Sequence, residues 1–287
     1  MKYQFTLTWL LSPIFILSLV AAGAGLFYHA PGEAFSYINH RGEAVTINGQ
    51  DLYFYDTVSS AAQMQGNDLV TLVVGLPLLI VSALLAFRGS LRGHLLLTGT
   101  LGFFLYTYMS MASLASYNSL FLVYVAIFAL SLYAFILCMM SFDLSALPNA
   151  FSDKLPHKWI VGLMFTVGGF LLLAWLGRIV PPLFQNQIPV LENTTTLVIQ
   201  FMDLGLIVPL AFLGGFLLLR RNAWGYLLSS IMLTKGVTLG LGVSAMAINM
   251  TRVGVPDSLG IMIPFLGITI LNLVLVTILL KNVKQAK

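Results

Sequence analysis

The sequence has very little charge. Only 8% of its 287 residues are charged, whereas 59% are hydrophobic and the mean hydropathy is +0.93. A soluble domain covers its surface with polar and charged side chains, which this composition does not supply. The sequence therefore excludes a soluble globular protein and predicts an integral membrane protein whose principal partner is the lipid bilayer.

Cysteine and clustered histidine are also scarce. Cys138 is the single cysteine, so no intrachain disulfide can form, and the histidines lie at or beyond predicted helix ends without metal-ligand spacing: His29, His40, His94 and His157. Metal and haem sites need such ligand sets. We also find no nucleophile elbow and no glycine-rich phosphate loop. We therefore expect no metal and no cofactor, and these observations weigh against an enzyme without excluding one.

Long apolar runs are what the sequence has in abundance. A hydrocarbon core about 30 Å thick requires roughly 20 apolar residues per helix. Eight segments meet this requirement: 8–28, 68–87, 95–113, 119–141, 159–179, 195–219, 223–248 and 258–280. We predict an all-α bundle of eight transmembrane helices, with short connections that make most neighbours antiparallel.

The basic residues predict the orientation, because cytoplasmic loops are enriched in lysine and arginine. With both termini in the cytoplasm, the inner set is Lys2, Arg88, Arg92, Lys154, Lys158, Arg220, Arg221, Lys281, Lys284 and Lys287, and the outer set is Arg41, Arg178 and Arg252. Asp257 then lies outside with most other acidic residues. The net charge of +4 and the pI near 9.2 thus reflect topology and not nucleic-acid binding. The compact loops favour a bacterial inner membrane.

One sizeable loop, 29–67, is predicted on the outside. Within it Ala44–Ile47, the Asn48-Gly49 dipeptide and segment 52–55 favour a β-hairpin with a type I′ turn. Segment 57–65 favours a short helix, with Ser60 and Gln63 at capping-box spacing. We expect this loop either to cover the outer mouth of the bundle or to be a plain connector.

The two halves of the chain resemble each other. An offset of 132 residues aligns Pro77 with Pro209, Arg88 with Arg220 and Gly93 with Gly225, and an offset of 150 aligns Trp9 with Trp159 and Pro31 with Pro181. These matches predict two parallel four-helix repeats, 1–141 and 159–287, joined by a cytoplasmic connector at 142–158. Repeats of equal orientation are related by an axis along the membrane normal, which commonly places a cavity between them.

Two ionisable residues, Asp203 and Lys235, lie deep inside predicted spans, where charge indicates a functional site. At 1.5 Å per residue they lie about 12 Å and roughly 18 Å below the outer boundary, a difference that a lysine stem can span, so we expect them to pair. The predicted ligand-binding or ion-coupling set adds five residues: Gln200, Asp68, Tyr106, Arg178 and Thr238. We assign no catalytic residue.

Three function classes remain open. The favoured one is binding or translocation of a small polar or charged solute through an outward-opening intramembrane cavity. The second is a non-catalytic scaffold, sensor or complex subunit, in which the Asp203–Lys235 pair only holds helices in register. The third is an intramembrane enzyme acting on a lipid-linked substrate, with Asp68 or Asp203 as acid or base. A retinal Schiff base on Lys235 lacks a supporting pocket pattern.

Overall fold

The computed structural model describes residues 1–256 and 258–284, and within them eight helical segments are long and apolar enough to cross a membrane. Asp257 and Lys287, used for orientation, lie outside the described residues. The elements are α1 (Gln4–Phe27), β1 (Phe35–Ile38), β2 (Ala44–Ile47), α2 (Val58–Val70), α3 (Leu76–Phe87), α4 (Leu91–Leu114), α5 (Phe121–Met140), α6 (His157–Phe184), α7 (Val198–Met202), α8 (Val208–Leu219), α9 (Ala223–Arg252) and α10 (Ser258–Lys281). The all-helical, multi-pass class is confirmed.

Two spans are interrupted in the same way. In the second span, Val58–Phe87, a π-helical turn at Thr71–Gly75 joins α2 to α3, and in the sixth, Val198–Leu219, a π-helical turn at Asp203–Ile207 joins α7 to α8. Both turns contain 5 residues, and their positions differ by the same offset of 132 found in the sequence. A proline, Pro77 or Pro209, follows each turn at the second residue of the next helix.

The second span begins earlier than its hydropathy predicts, at Val58 instead of residue 68. Polar side chains of α2 face the interior of the bundle, so the helix continues where apolar character alone would end it. Thr57 is its N-cap, with Oγ1 accepting a hydrogen bond from the Ser60 backbone N–H at 3.1 Å. The predicted capping box of Ser60 and Gln63 is wrong: Gln63 donates to the Ser59 hydroxyl at 3.2 Å instead.

A two-stranded hairpin is present, but it differs from the predicted one. β2 pairs antiparallel with β1, Phe35 opposite Ile47, and not with segment 52–55. The backbone N–H of Gly49 donates to the Phe54 carbonyl at 2.9 Å, which turns this segment back toward the bundle. There the Tyr53 side chain is only 1% exposed. Burial of this aromatic ring explains why 52–55 leaves the hairpin.

α4 and α9 are the most buried spans and lie at the centre of the bundle. Buried apolar side chains form two clusters, one among α1 to α5 with part of the loop between α1 and α2, and one among α6, α8, α9 and α10 with the segment before α6 and Leu95 of α4. At one end of the bundle, which we call the terminal end, the segment after α10 meets the segment before α6 through a bridge between Phe151 and Val283, and Met1 lines a space with Leu147 and Ala150. The opposite end carries the β1–β2 hairpin, and we call it the hairpin end.

Candidate functional site

A cavity of about 420 Å³ lies between α2 and α4 on one side and α6, α7, α9 and α10 on the other. Its polar lining includes Asn67, Tyr106, Trp175, Gln200, Asp203 and Lys235. The remaining wall is largely apolar and rich in methionine: Met64, Phe103, Met111, Leu171, Leu239, Val243, Met246, Met250 and Phe265. A mostly apolar pocket with a few convergent polar groups is typical of small-molecule sites.

Asp203 is held by two strong donors. The Tyr106 hydroxyl donates to Oδ1 at 2.6 Å, and the Trp175 indole N–H donates to Oδ2 at 2.9 Å. The carboxylate is 4% exposed and begins the π-helical turn of the sixth span. Its position is therefore fixed from α4 and α6 at once, by one hydrogen bond to each oxygen.

Lys235 does not form the predicted ion pair with Asp203. Its Nζ lies 3.7 Å from the centroid of the Tyr106 ring, so the tyrosine stands between the two charges. Among the described residues Nζ makes no hydrogen bond and no ion pair. The side chain is only 6% exposed. A cation–π contact stabilises the ammonium by about 2 kcal/mol, but none of its N–H donors has a hydrogen-bond acceptor among the described residues, and the side chain lines the cavity.

The structure brings six of the seven predicted site residues to this cavity: Asp203, Lys235, Gln200, Tyr106, Arg178 and Thr238. Thr238 is fully buried and donates to the Lys235 carbonyl at 2.9 Å, which fixes α9 locally. Arg178 lies near the mouth and donates to the Val190 carbonyl at 2.6 Å.

Asp68 lies elsewhere. Its neighbour Asn67 faces the cavity, whereas the Asp68 carboxylate points toward α1 and accepts a hydrogen bond from the Tyr53 hydroxyl at 2.6 Å. Successive helical residues differ by about 100° in direction, so the two side chains cannot share one face of α2. The sequence placed Asp68 at the outer start of the second span and in the cavity, whereas it lies inside that span, which begins at Val58, and on the other side of its helix.

A second space of about 310 Å³, here the vestibule, adjoins the cavity at the hairpin end. Ser60, Gln63, Arg178 and Gln200 line both spaces. Asp56 lines the vestibule, and its burial raises the pKa of the carboxyl from 3.8 to about 6, although the Ser116 backbone N–H donates to it at 2.9 Å. The vestibule gives the cavity a polar approach from the hairpin end.

The hairpin is tied to the segment that precedes α7. Arg41 donates to the backbone carbonyls of Glu192 and Thr194, and Asn39 donates to that of Glu192 at 2.9 Å. The Thr57 hydroxyl donates to the Glu192 carboxylate at 2.5 Å. These contacts place the hairpin beside the vestibule.

Trp175 is the residue that sequence reasoning missed. It lies on α6 between Leu171 and Arg178, at spacings of four and three residues, and all three line the cavity. Since Arg178 was a predicted site residue, the helical spacing of three and four residues would have predicted that Trp175 lies on the same face of α6. An indole N–H buried in a membrane needs an acceptor, and the Asp203 carboxylate on the next span provides one.

Within residues 1–256 and 258–284, no three His, Cys, Asp or Glu side chains are close enough together to hold a metal ion. The two buried histidines have other partners: the Ser141 hydroxyl lies 2.9 Å from the His94 ring, and the Tyr226 hydroxyl lies 2.9 Å from that of His157. Comparison with protein-family models, with curated proteins and with solved structures gives no match.

Proposed function

We propose that this protein binds a small amphipathic solute with an anionic group in the cavity beneath the hairpin, as a carrier or solute-binding membrane protein. The observation that carries the proposal is the contrast between the two charges of the cavity. Both oxygens of Asp203 already accept hydrogen bonds, whereas the buried ammonium of Lys235 makes no ion pair within the described part of the chain. A carboxylate or similar group on a ligand would complete the site.

The apolar wall of the cavity supports an amphipathic ligand, one that has an apolar body as well as an anionic group. Leucine, phenylalanine and methionine side chains surround the space beyond Lys235. Methionine adapts to varied shapes, so this wall accepts an apolar body of moderate size. The cavity volume of about 420 Å³ lies within the range of small-molecule sites.

The proposal includes two parallel four-helix repeats. It is supported by the equal π-helical turns, and by the N-caps Ser90 and Asn222, which bear the same offset of 132. At Gly93 an added Cβ would lie 2.4 Å from the Leu85 Cβ, and at Gly225 it would lie 2.1 Å from the Leu218 nitrogen. Both helix turns thus require glycine at one position. The cavity lies between α2 and α4 of the first unit and α6, α7, α9 and α10 of the second.

We further propose that both termini are cytoplasmic and that the cavity opens outward from a bacterial inner membrane. The support is the distribution of basic residues, since Arg88, Arg92, Arg220 and Lys281 all lie at helix ends of the terminal end. In this orientation the vestibule faces the outside, where a carrier would collect its solute.

A matched ligand series tests the proposal. Thermal unfolding of the purified protein in detergent is followed with phenylacetate, phenethylamine and phenethyl alcohol, and then with further small acids and their amine and alcohol counterparts. Acids should stabilise the wild type, by about 2.7 kcal/mol at roughly 100 times Kd. Lys235→Met should lose this response, whereas Lys281→Met, at the end of α10, should keep it.

Two other outcomes change the conclusion. If amines or alcohols stabilise as well as acids, the cavity binds solutes but the anionic assignment is wrong. If no compound stabilises the wild type and Lys235→Met only lowers its melting temperature, the scaffold function replaces the carrier. Asp203→Asn with Lys235→Met then measures the structural coupling of the two residues.

A further inference from the structure

Asp68 belongs to a buried polar cluster that the cavity does not use. The Asp68 cluster consists of Ser18 from α1, Tyr53 from the loop, Asp68 from α2, Tyr108 from α4 and Tyr124 from α5. None of these residues is more than 3% exposed. A single hydrogen bond, from the Tyr53 hydroxyl to Asp68 Oδ2 at 2.6 Å, joins two of them. The hydroxyls of Ser18, Tyr108 and Tyr124 lack a hydrogen bond of regular geometry to any described residue, although Tyr108 lies beside Ser18 and Tyr124 lies beside Tyr53.

Unpartnered polar atoms continue from this cluster to the hairpin end. The Tyr124 hydroxyl has Tyr53 and Asn118 as neighbours, and it lies within electrostatic reach of both Asp68 and Asp56. Asn118 Nδ2 and Asp56 Oδ2 are themselves buried without partners. Of the seven such atoms in the described part of the chain, five lie on this line: Ser18 Oγ, Asp56 Oδ2, Tyr108 OH, Asn118 Nδ2 and Tyr124 OH. Their grouping along one path indicates a shared cause.

Buried water is the physical remedy for such atoms. A buried polar group without a partner costs about 1 to 3 kcal/mol, and interior waters typically satisfy several of them at once. Asp56 also lines the vestibule, so the path begins at a solvent-accessible space. The line of unpartnered atoms therefore meets the vestibule at the hairpin end.

Beyond the cluster the path is closed. Toward the terminal end the neighbouring side chains are apolar and fully buried: Ile14, Leu97, Leu101, Phe104 and Ile127. α1 contributes Gly25, where an added Cβ would lie 1.9 Å from Asp68 Oδ2. Mostly apolar packing thus separates the Asp68 carboxyl from the terminal end, although α5 also buries the unpartnered Ser131 hydroxyl on that side of Tyr124.

The titratable groups around Asp68 indicate which ligand its carboxyl group can bind. The titratable groups facing it are the phenols of Tyr53, Tyr108 and Tyr124, with Asp56 farther along the path, and no described lysine, arginine or histidine forms an ion pair with it. An uncompensated carboxylate at membrane depth is costly, whereas a neutral carboxylic acid is not. Divalent cations are held mainly by several carboxylate and carbonyl oxygens, whereas Asp68 is the single carboxylate of this cluster and its other side chains are hydroxyls. The proton is the ligand that fits.

We propose that Asp68 is a proton-binding site, separate from the solute cavity and reached from the hairpin end through a file of buried water molecules past Asp56, Asn118 and Tyr124. The inference does not depend on the proposed solute. It gives the protein a carboxyl that exchanges its proton with one side of the membrane, as a proton-coupled step requires.

Infrared spectroscopy of the purified protein tests this inference. At neutral pH the wild type should show the carbonyl band of a protonated, hydrogen-bonded carboxylic acid, and the band should shift on transfer to heavy water. Asp68→Asn should lose the band, whereas the matched intramembrane variant Asp203→Asn should keep it. Tyr124→Phe removes a hydroxyl from the path and should retain the band while slowing its shift in heavy water.

Other results overturn the inference. A wild type without the band, or a band lost in Asp203→Asn and kept in Asp68→Asn, removes the proton from Asp68. If Asp68→Asn does not fold, Tyr53→Phe serves instead, because loss of its hydrogen bond must move the Asp68 band. Sodium chloride, compared with choline chloride, should leave the melting temperature unchanged. Stabilisation by sodium that Asp68→Asn or Tyr53→Phe abolishes would assign a metal-cation site in place of the proton.

Discussion

The second and sixth spans contain the same backbone interruption but hold their carboxylates in opposite ways. Asp203 begins its π-helical turn, faces a cavity and accepts hydrogen bonds from Tyr106 and Trp175. Asp68 precedes the other turn by three residues, faces packed helices and accepts one hydrogen bond, from Tyr53. The two spans share the π-helical turn but not the surroundings of the carboxylate. The turn alone therefore does not determine whether a carboxylate faces a cavity or packed helices.

The facing helix accounts for much of this difference. α6 offers Trp175, whose large ring reaches Asp203 and donates to it. α1 offers Gly25, which lets the Asp68 carboxylate and the Tyr53 hydroxyl approach the helix backbone directly. The offset of 150 residues that aligns Trp9 with Trp159 also aligns Gly25 with Trp175. The two carboxylates also occupy different positions in their spans, because the offset of 132 aligns Asp68 with Gln200 and Thr71 with Asp203. The size of the facing residue and the position of the carboxylate on its helix together separate the packed Asp68 from Asp203 beside the cavity.

Replacing this glycine should have the largest effect. In Gly25→Ala the new Cβ would lie 1.9 Å from Asp68 Oδ2 and 2.8 Å from the Tyr53 hydroxyl oxygen. The carboxylate must move and lose its donor, so we expect a loss of about 3 kcal/mol or more, measured as a lower melting temperature in detergent. Gly23→Ala is the control, since no atom lies within 4 Å of its added Cβ. Equal stabilities of the two variants would contradict the close packing at Asp68.

The second prediction concerns Asp56, where the packed region meets the vestibule. Its folded-state pKa of about 6 is raised from 3.8 by burial. The folded protein therefore keeps a proton that the unfolded chain has already released, and stability falls as pH rises from about 4 to about 6. One pKa unit corresponds to about 1.4 kcal/mol, so the loss is about 3 kcal/mol at most.

Asp56→Asn removes this titration. Its melting temperature relative to the wild type should rise with pH across that window and level off above it. Asp143→Asn is a useful control, because hydrogen bonds from Ser145 and Ala146 lower the pKa of that exposed carboxyl. Its relative stability should not rise over the same window. A constant difference between Asp56→Asn and the wild type would mean that the folded-state pKa of Asp56 is unshifted.

The smallest predicted effect tests whether the two halves are equivalent. Ser90 Oγ accepts from the Gly93 N–H at 3.3 Å, and Asn222 Oδ1 accepts from the Trp224 N–H at 3.0 Å. Ser90→Ala and Asn222→Ala should each lower stability by about 1 kcal/mol. Ser90→Asn and Asn222→Ser exchange the caps and should preserve it. A loss in only one half would show that the caps serve different local structures.

The fold was predictable from the sequence where a single physical property determines the structure. Length and hydropathy predicted the eight spans, because the bilayer imposes both on any crossing helix. The early start of the second span was not predictable in this way, since Ser59, Gln63 and Asn67 face a cavity inside the bundle and resemble loop residues in the sequence. The π-helical turns have no local sequence signature beyond the prolines that follow them.

The site was predictable in composition and less so in geometry. Intramembrane charge led to Asp203 and Lys235, and helical spacing led to Tyr106 and Thr238. The arrangement of Tyr106 between the two charges depends on how far α4 lies from α9, a tertiary distance that no single-sequence pattern contains. For the same reason the direction of Asp68, toward α1 instead of the cavity, required the packed structure.

The π-helical turns also constrain how the sequence can change. Each turn accommodates one more residue than an α-helix of the same rise, so deleting a single residue there would restore a regular helix without touching any loop. Everything between the deletion and the nearer loop would rotate by about 100°. In the sixth span Gln200 is buried and Phe201 is exposed on the outer surface of the bundle. Such a deletion would rotate Gln200 away from the interior and change the surroundings of Phe201 as well. The number of residues in these two spans is therefore constrained as strictly as their composition.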